Sequence, residues 1–127
     1  MPGALLQMNN AAPRRSMDRF LIFAFAAAEL LVETDLQGRI IFAEGTFRTR
    51  FGHDAPEFLG RPVISLIAAA DRPAFASAIG LMAEVGRLKP TVLRLADPRN
   101  TSFSVAGLRL EGNGDKLVLT FAPLPRE

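Results

Sequence analysis

His53, Asp54 and Glu57 are the residues whose types and spacing come closest to a chemical site. An imidazole and two carboxylates on one turn could hold a metal ion or move a proton. Closed metal sites need more ligands than this, usually including a second His or a Cys, and the chain has 1 His and 0 Cys. We therefore predict a polar surface turn here and no metal site.

The carboxylates along the chain do not form the arrangements that acid–base catalysis requires, namely two convergent carboxylates or a base beside a nucleophile. Each is explained as a helix cap, a turn residue or a surface charge. Without Cys the chain also lacks thiol nucleophiles, thiolate zinc sites and cysteine-linked flavins. We predict no catalysis and no cofactor, and the absence of Cys leads us to expect a reducing compartment, the cytoplasm. The carboxylates in question are Glu29, Glu33, Asp35, Asp54, Asp71 and Asp97.

The charge pattern is too weak and too scattered for nucleic-acid binding. The 15 Lys and Arg residues against 13 Asp and Glu give a net charge of +2, although the pI is about 9.9. Duplex binding needs cations gathered on one face, and only Arg14, Arg15 and Arg19 cluster. We interpret that cluster as the solvated start of a helix, with contact to an anionic partner or lipid as the alternative, and predict neither a nucleic-acid nor a membrane partner.

The stretch FLIFAFAAAELLV, residues 20–32, is the most apolar part of the chain. It is shorter than the roughly 20 residues that a membrane-spanning helix needs. A secretory signal is an alternative, because basic residues precede the stretch and small residues end it, but Asp18 lies inside the supposed basic region. We predict a helix over residues 16–28, with Ser16 accepting hydrogen bonds from its first amides, and a flexible segment over residues 1–15.

This helix is predicted to be apolar on more than one face: Phe20, Phe23 and Ala27 lie on one side, and Leu21, Phe25 and Ala28 lie on the next. One face can lie on the sheet of its own subunit. The other then needs cover from a second copy or a partner, because large exposed apolar patches are rare on monomers. We predict a homodimer; the alternatives are a helix wholly buried in one subunit and a fragment edge exposed by truncation. The predicted interface residues are Phe20, Leu21, Phe23, Ala24, Phe25 and Ala27.

The body of the chain is predicted to be an α+β domain. Two short strands, residues 30–34 and 39–43, flank a turn in which Asp35 binds nearby amides and Gly38 takes a positive φ. Helical segments are predicted over residues 44–51, 53–60 and 72–85, the last capped by Asp71. Three further strands follow over residues 90–96, 102–110 and 116–121. These strands can close one antiparallel sheet with the helices on one side.

Three segments of this body resemble motifs of the PAS family in order and spacing: LVETDLQGRIIFA (31–43), FGHDAPEFLGR (51–61) and Asp71-Arg72. The resemblance covers about residues 29–122 and implies a five-stranded antiparallel sheet and a role in sensing or protein association. It assigns residues 29–123 to a PAS domain and 124–127 to a linker toward an output domain. The sequence of this segment is similar to those of PAS modules in bacterial proteins that carry cyclic-di-GMP synthase and phosphodiesterase domains. This resemblance implies a downstream signalling domain in the same polypeptide.

A ligand pocket, if present, is expected between the sheet and the helices, among residues that also form the core. A packed, ligand-free interior is the alternative to a small apolar or carboxylate ligand. A bound acid would need Arg61, Arg94 or Arg109 to point inward. The candidate pocket or core residues are Leu31, Phe42, Phe47, Phe58, Leu66, Phe75, Ile79 and Phe103.

Three functions remain open. The leading hypothesis is a non-catalytic signal-transduction module that dimerises and regulates an attached enzyme. The second is a small-molecule sensor. The third is a recognition surface that delivers the full-length protein to an adaptor protein of a protease.

Overall fold

The computed structural model describes residues 26–112 and 114–124 of the chain. Its first two strands form a hairpin. Strand β1 (Leu30–Thr34) pairs with the antiparallel strand β2 (Ile40–Gly45). The turn between them forms as predicted, because Asp35 Oδ1 accepts hydrogen bonds from the backbone N of Gln37 and of Arg39, both at 2.9 Å. Gly38 has the positive φ of 87° that lets the chain enter β2.

The helical part of the domain follows β2. Its first helix starts later than predicted because Glu44 and Gly45 still pair with β1, which lengthens β2 at the expense of the helix. In chain order the elements are α1 (Phe47–Phe51), the 3₁₀ helices Ala55–Phe58, Val63–Leu66 and Ala69–Asp71, and α2 (Arg72–Val85).

The long helix α2 has the predicted bounds, but its first turn is not capped as predicted. Asp71 makes no side-chain hydrogen bond to the amides of α2. Its carboxylate binds Arg94 instead. The helix ends at Gly86, which takes a φ of 97° and donates its N–H to Met82 O at 2.8 Å. A left-handed glycine of this kind is a common helix C-cap.

Three strands complete a five-stranded antiparallel sheet in the order β2-β1-β5-β4-β3. They are β3 (Arg87–Arg94), β4 (Ser102–Leu110) and β5 (Lys116–Pro123). The fold predicted from the sequence, an α+β domain with one antiparallel sheet and helices beside it, is confirmed. β3 starts before the predicted residue 90, because Arg87 and Leu88 already pair with β4.

The core lies between the helices and one face of the sheet, which we call the inner face. Side chains from alternate strand positions, such as Leu30, Phe103 and Leu119, pack there against Phe75 and Met82 of α2. Such alternation is expected for a sheet with one buried face. Phe47, Phe51 and Phe58 form an aromatic cluster with ring centroids 5.1–5.9 Å apart.

Most of the predicted N-terminal helix lies outside the described residues. Of its predicted interface residues, Phe20, Leu21, Phe23, Ala24 and Phe25 fall there, as does the predicted flexible segment 1–15. Ala26 and Ala27 are described; both have helical backbone and both are exposed. Across the described ranges we find no helix long and apolar enough to cross a bilayer.

Candidate functional site

The eight predicted pocket or core residues divide into three groups. Five are at most 5% exposed and belong to the core: Phe47, Phe58, Leu66, Phe75 and Phe103. Ile79 is partly buried and packs against that core. Leu31 and Phe42 were predicted wrongly, since both lie outside the core cluster.

The error at Leu31 and Phe42 comes from the phase of the strands. Leu30 and Val32 of β1 are fully buried on the inner face, so Leu31 between them points to the opposite, outer face. Phe42 pairs with Glu33, the next outward position of β1, and is 42% exposed. The run LLV is apolar at three successive positions, so its composition did not show which side faces the core.

An apolar cleft of about 280 Å³ opens on the helical side, beside the core. It lies between the β1–β2 turn, the start of the second 3₁₀ helix and one side of α2. Phe75 and Ile79 are the two predicted residues that line it. The others include Gly38, Val63, Ile64 and Gly80, with Gln37 at the turn. This lining suits a small apolar group.

A second, more polar cleft of about 490 Å³ separates α1 from the β3–β4 turn. Arg48, Arg50 and Arg99 line it, together with Asp97. Arg48 pairs with Asp54 at 2.9 Å, and Arg50 pairs with Glu29 at 2.6 Å. The charges of this cleft are therefore largely balanced, which does not favour a site for a strongly charged anion.

The three arginines considered for a bound acid are engaged elsewhere. Arg61 lies over the Phe58 ring at 5.2 Å, and Arg94 binds the carboxylate of Asp71. Arg109 donates from Nη1 to Ala83 O at 2.6 Å and from Nη2 to Asp115 Oδ2 at 2.7 Å. Its guanidinium holds the pKa of the Asp115 carboxyl below the usual range.

The six carboxylates singled out in the sequence all accept hydrogen bonds. Asp97 is buried in the β3–β4 turn and binds the backbone N and the hydroxyl of Thr101, at 2.8 and 2.6 Å. Glu33 binds Lys116 at 2.8 Å across β1 and β5. Asp35, Asp54 and Glu29 have the partners given above, and Asp71 binds Arg94 instead of capping α2 as predicted.

His53 lies in an exposed turn. Its Nδ1 is 3.2 Å from Glu57 Oε1, and its ring meets the edge of Phe58. Glu57 Oε2 also accepts a hydrogen bond from the backbone N of Asp54 at 2.9 Å, which closes the first turn of the 3₁₀ helix. Within residues 26–112 and 114–124 no group of three or more His, Cys, Asp or Glu side chains is placed to hold a metal ion.

Glu29 and Arg50 form a contact that reasoning from the sequence missed. Arg50 donates to the Glu29 carboxylate from Nε at 2.6 Å and from Nη2 at 3.0 Å, and Thr46 Oγ1 donates to it at 2.7 Å. These hydrogen bonds hold the pKa of Glu29 below its ordinary value, against an opposing effect of burial. Twenty-one positions separate the two residues, so no local spacing rule could have paired them.

Comparison with solved structures identifies the fold. The PAS-B domain of Cycle from Drosophila melanogaster, with bound ethylene glycol, superposes with a TM-score of 0.62 at 12% identity, over 75% of this chain and 99% of that one. Its W398A variant with bound glycerol gives the same values. The PAS domain of the RpfR quorum-sensing receptor from Cronobacter turicensis, in complex with C12:0, matches with a TM-score of 0.61 at 14% identity, over 78% and 96%.

No family model and no curated protein sequence matches the chain. At 12–14% identity the structural likeness shows the fold alone. The chain has the PAS-like α+β fold that the motifs in its sequence led us to expect.

Proposed function

We propose that the chain is a non-catalytic, PAS-type signal-transduction module that forms a homodimer through residues 16–28. The general role is supported by fold-level analogy, because the structural neighbours are PAS domains, one of them from a quorum-sensing receptor. The dimer is supported by the apolar sequence of residues 20–28 and by the apolar outer face of the sheet, close to the short link between residues 26 and 27 and the start of β1 at Leu30.

Apolar side chains occupy that outer face although the described helices pack on the inner one. Ala106 and Val118 alternate with the inward residues of β4 and β5, and they are 4 and 6% exposed. Leu31 and Phe42 lie on the same face. A helix apolar on two sides, as predicted for residues 16–28, would cover the sheet with one side and leave the other for a second copy.

Light scattering at tens of micromolar tests the dimer. We expect the wild-type chain to have twice the monomer mass, and Phe20→Glu and Phe23→Glu to be monomers with unchanged circular dichroism. Val85→Glu is the matched control, since Val85 is 62% exposed on α2 and α2 packs on the inner face. A monomeric wild type contradicts the proposal.

We further propose that the module regulates an attached enzyme of cyclic-di-GMP turnover in the bacterial cytoplasm. The resemblance of the sequence motifs to such modules supports this assignment. The coding sequence after residue 127 tests it directly. A cyclic-dinucleotide synthase or phosphodiesterase domain there supports the proposal, and a stop codon contradicts it.

A small-molecule sensor is the second candidate, because the apolar cleft offers a binding place and because the RpfR domain, a structural neighbour, holds C12:0. Dodecanoic acid is the probe. If the cleft binds it, the acid raises the melting temperature of the wild type and raises that of Gly80→Leu less. Ser77→Leu, on an exposed part of α2, is the control. Absence of any thermal gain and of any bound mass in native mass spectrometry contradicts this function.

A further inference from the structure

Glu29 occupies the junction between the helical residues Ala26 and Ala27 and the first residue of β1, Leu30. Its backbone is held on two sides. The N–H of Glu29 donates to Phe121 O at 2.7 Å, and its carbonyl accepts from the N–H of Thr46 at 3.3 Å. The junction is therefore fastened both to the end of β5 and to the link between β2 and α1.

Gly45 lets the end of β2 approach this junction closely. Its φ is 124°, and a Cβ at this position would overlap the carbonyl oxygen of Glu29. A side chain at position 45 would push the two segments apart, so the close approach depends on glycine.

The side chain of Glu29 connects the junction to the core through Arg50. The carboxylate receives two hydrogen bonds from one guanidinium, an arrangement that fixes direction as well as distance. The guanidinium in turn lies 4.9 Å over the ring of Phe103, which is fully buried on β4. Arg50 also lines the polar cleft beside Asp97.

This pair is more protected than an ordinary surface ion pair. The side chains of Arg50 and Glu29 are 27 and 19% exposed, against 73 and 54% for Arg48 and Asp54. Exposed pairs contribute little because water screens them and their side chains stay free to move. A half-buried, doubly bonded pair holds its geometry better.

We propose that the Glu29–Arg50 contact is a latch that fixes the direction in which the chain leaves the domain at residues 26–28. Breaking it loosens those residues while the backbone hydrogen bonds of Glu29 and the rest of the domain stay in place. Because Arg50 also lines the polar cleft, a change there would reach the N-terminal segment through this one side chain. The proposal rests on the proposed function only where it gives residues 16–28 a signalling role.

A nitroxide label on a single cysteine tests the latch, and the natural chain contains no Cys to interfere. Ala26→Cys places the label on an exposed helical residue just before Glu29. In this background we expect Glu29→Gln to shorten the rotational correlation time of the label about twofold, on the nanosecond scale. Arg50→Lys should do the same, because an ammonium group does not reproduce the two-pronged contact.

Glu33→Gln is the matched control. It removes the Glu33–Lys116 pair, which joins β1 and β5 where the two strands are already hydrogen-bonded, so we expect no change in label motion. Circular dichroism establishes that each variant is folded, and Arg50→Lys serves if Glu29→Gln does not fold. The double variant should be no more mobile than either single one, because both remove the same contact.

A label spectrum unchanged in folded Glu29→Gln and Arg50→Lys overturns the latch. This outcome is distinct from failure of the proposed function, which light scattering decides. If the chain is a monomer and the label becomes more mobile in the variants, the latch is supported and the dimer is contradicted. If the chain is a dimer and the label mobility does not change, the dimer is supported and the latch is contradicted.

Discussion

Arg94 and Asp71 are joined by three hydrogen bonds, from the backbone N, Nε and Nη2 of Arg94, at 2.8, 3.0 and 2.8 Å. They tie the start of α2 to β3, across 23 positions of sequence. The hydrogen bonds from Arg94 lower the pKa of Asp71 to about 2 from 3.8. The carboxylate of Asp71 thus connects helix and sheet, where the sequence predicted a helix cap.

The pH dependence of stability follows from this contact. Because the pKa of Asp71 is lower in the folded chain than in the unfolded one, its contribution is complete above pH 3.8 and is lost as the pH falls toward 2. We expect Asp71→Asn to melt below the wild type at neutral pH and the difference to shrink across that interval. Melting curves of both proteins at matched pH values measure it. A constant difference contradicts the assignment.

Gly107 of β4 is needed where this strand packs closely against β5 and α2. A Cβ there would lie 2.5 Å from Val118 O and 2.9 Å from Leu119 Cδ2 in β5, and 3.0 Å from Met82 Sδ in α2. We expect Gly107→Ala to lower the free energy of unfolding by about 1–3 kcal/mol, the usual cost of overpacking, as measured by urea denaturation.

Gly80→Ala is the matched control for that substitution. Gly80 lies inside α2, and a Cβ there meets no atom within 4 Å. Alanine should raise the free energy of unfolding by about 0.5–1 kcal/mol, because it favours the helix more than glycine does. Equal changes in the free energy of unfolding for the two substitutions would contradict close packing at Gly107.

Phe47 is fully buried in the aromatic cluster with Phe51 and Phe58. Phe47→Ala should cost about 3–5 kcal/mol of unfolding free energy, a large part of the roughly 5–15 kcal/mol typical of a domain. Leu81→Ala, at a residue that is 57% exposed on α2, should cost about 0.5 kcal/mol or less. Similar losses for the two would place Phe47 outside the core.

Arg109 holds the last turn of α2 against β4 and the β4–β5 turn. Its guanidinium donates to both Ala83 O and Asp115. The single ammonium group of lysine does not reproduce these two contacts. We expect Arg109→Lys to speed amide hydrogen exchange in the last turn of α2, while Arg87→Lys, at an exposed position of β3, leaves it unchanged. Unaltered exchange in Arg109→Lys would mean that the helix end holds without this side chain.

Local features of the fold could be predicted from the sequence, and long-range partners could not. The turn at Asp35 and Gly38 and the helix end at Gly86 depend on residues within a few positions, so their types were sufficient. The choice of Asp71 between its own helix and Arg94 depends on how the sheet brings β3 to α2, which no local pattern shows. Likewise, the pairing of β1 with its partner strands decided which of its side chains point to the core.

For the candidate site, too, the sequence predicted local properties of residues but not the long-range contacts between them. The sequence predicted which side chains are large and apolar, and most of them fill the core. It did not indicate that the cleft would lie at the β1–β2 turn, because Gly38, Val63 and Gly80 meet there only after α2 packs on the sheet. Likewise, the Glu29–Arg50 contact requires the end of β2 to pass beside the start of β1.

Disulfide trapping tests the central claim, a dimer built on the N-terminal helix, most directly. A chain with no natural Cys allows one cysteine at a time. Under mild oxidation Phe20→Cys or Phe23→Cys should give a covalent dimer in high yield, whereas Val85→Cys on α2 should give little. Equal, low yields at all three positions, in protein shown to be folded, would contradict the dimer.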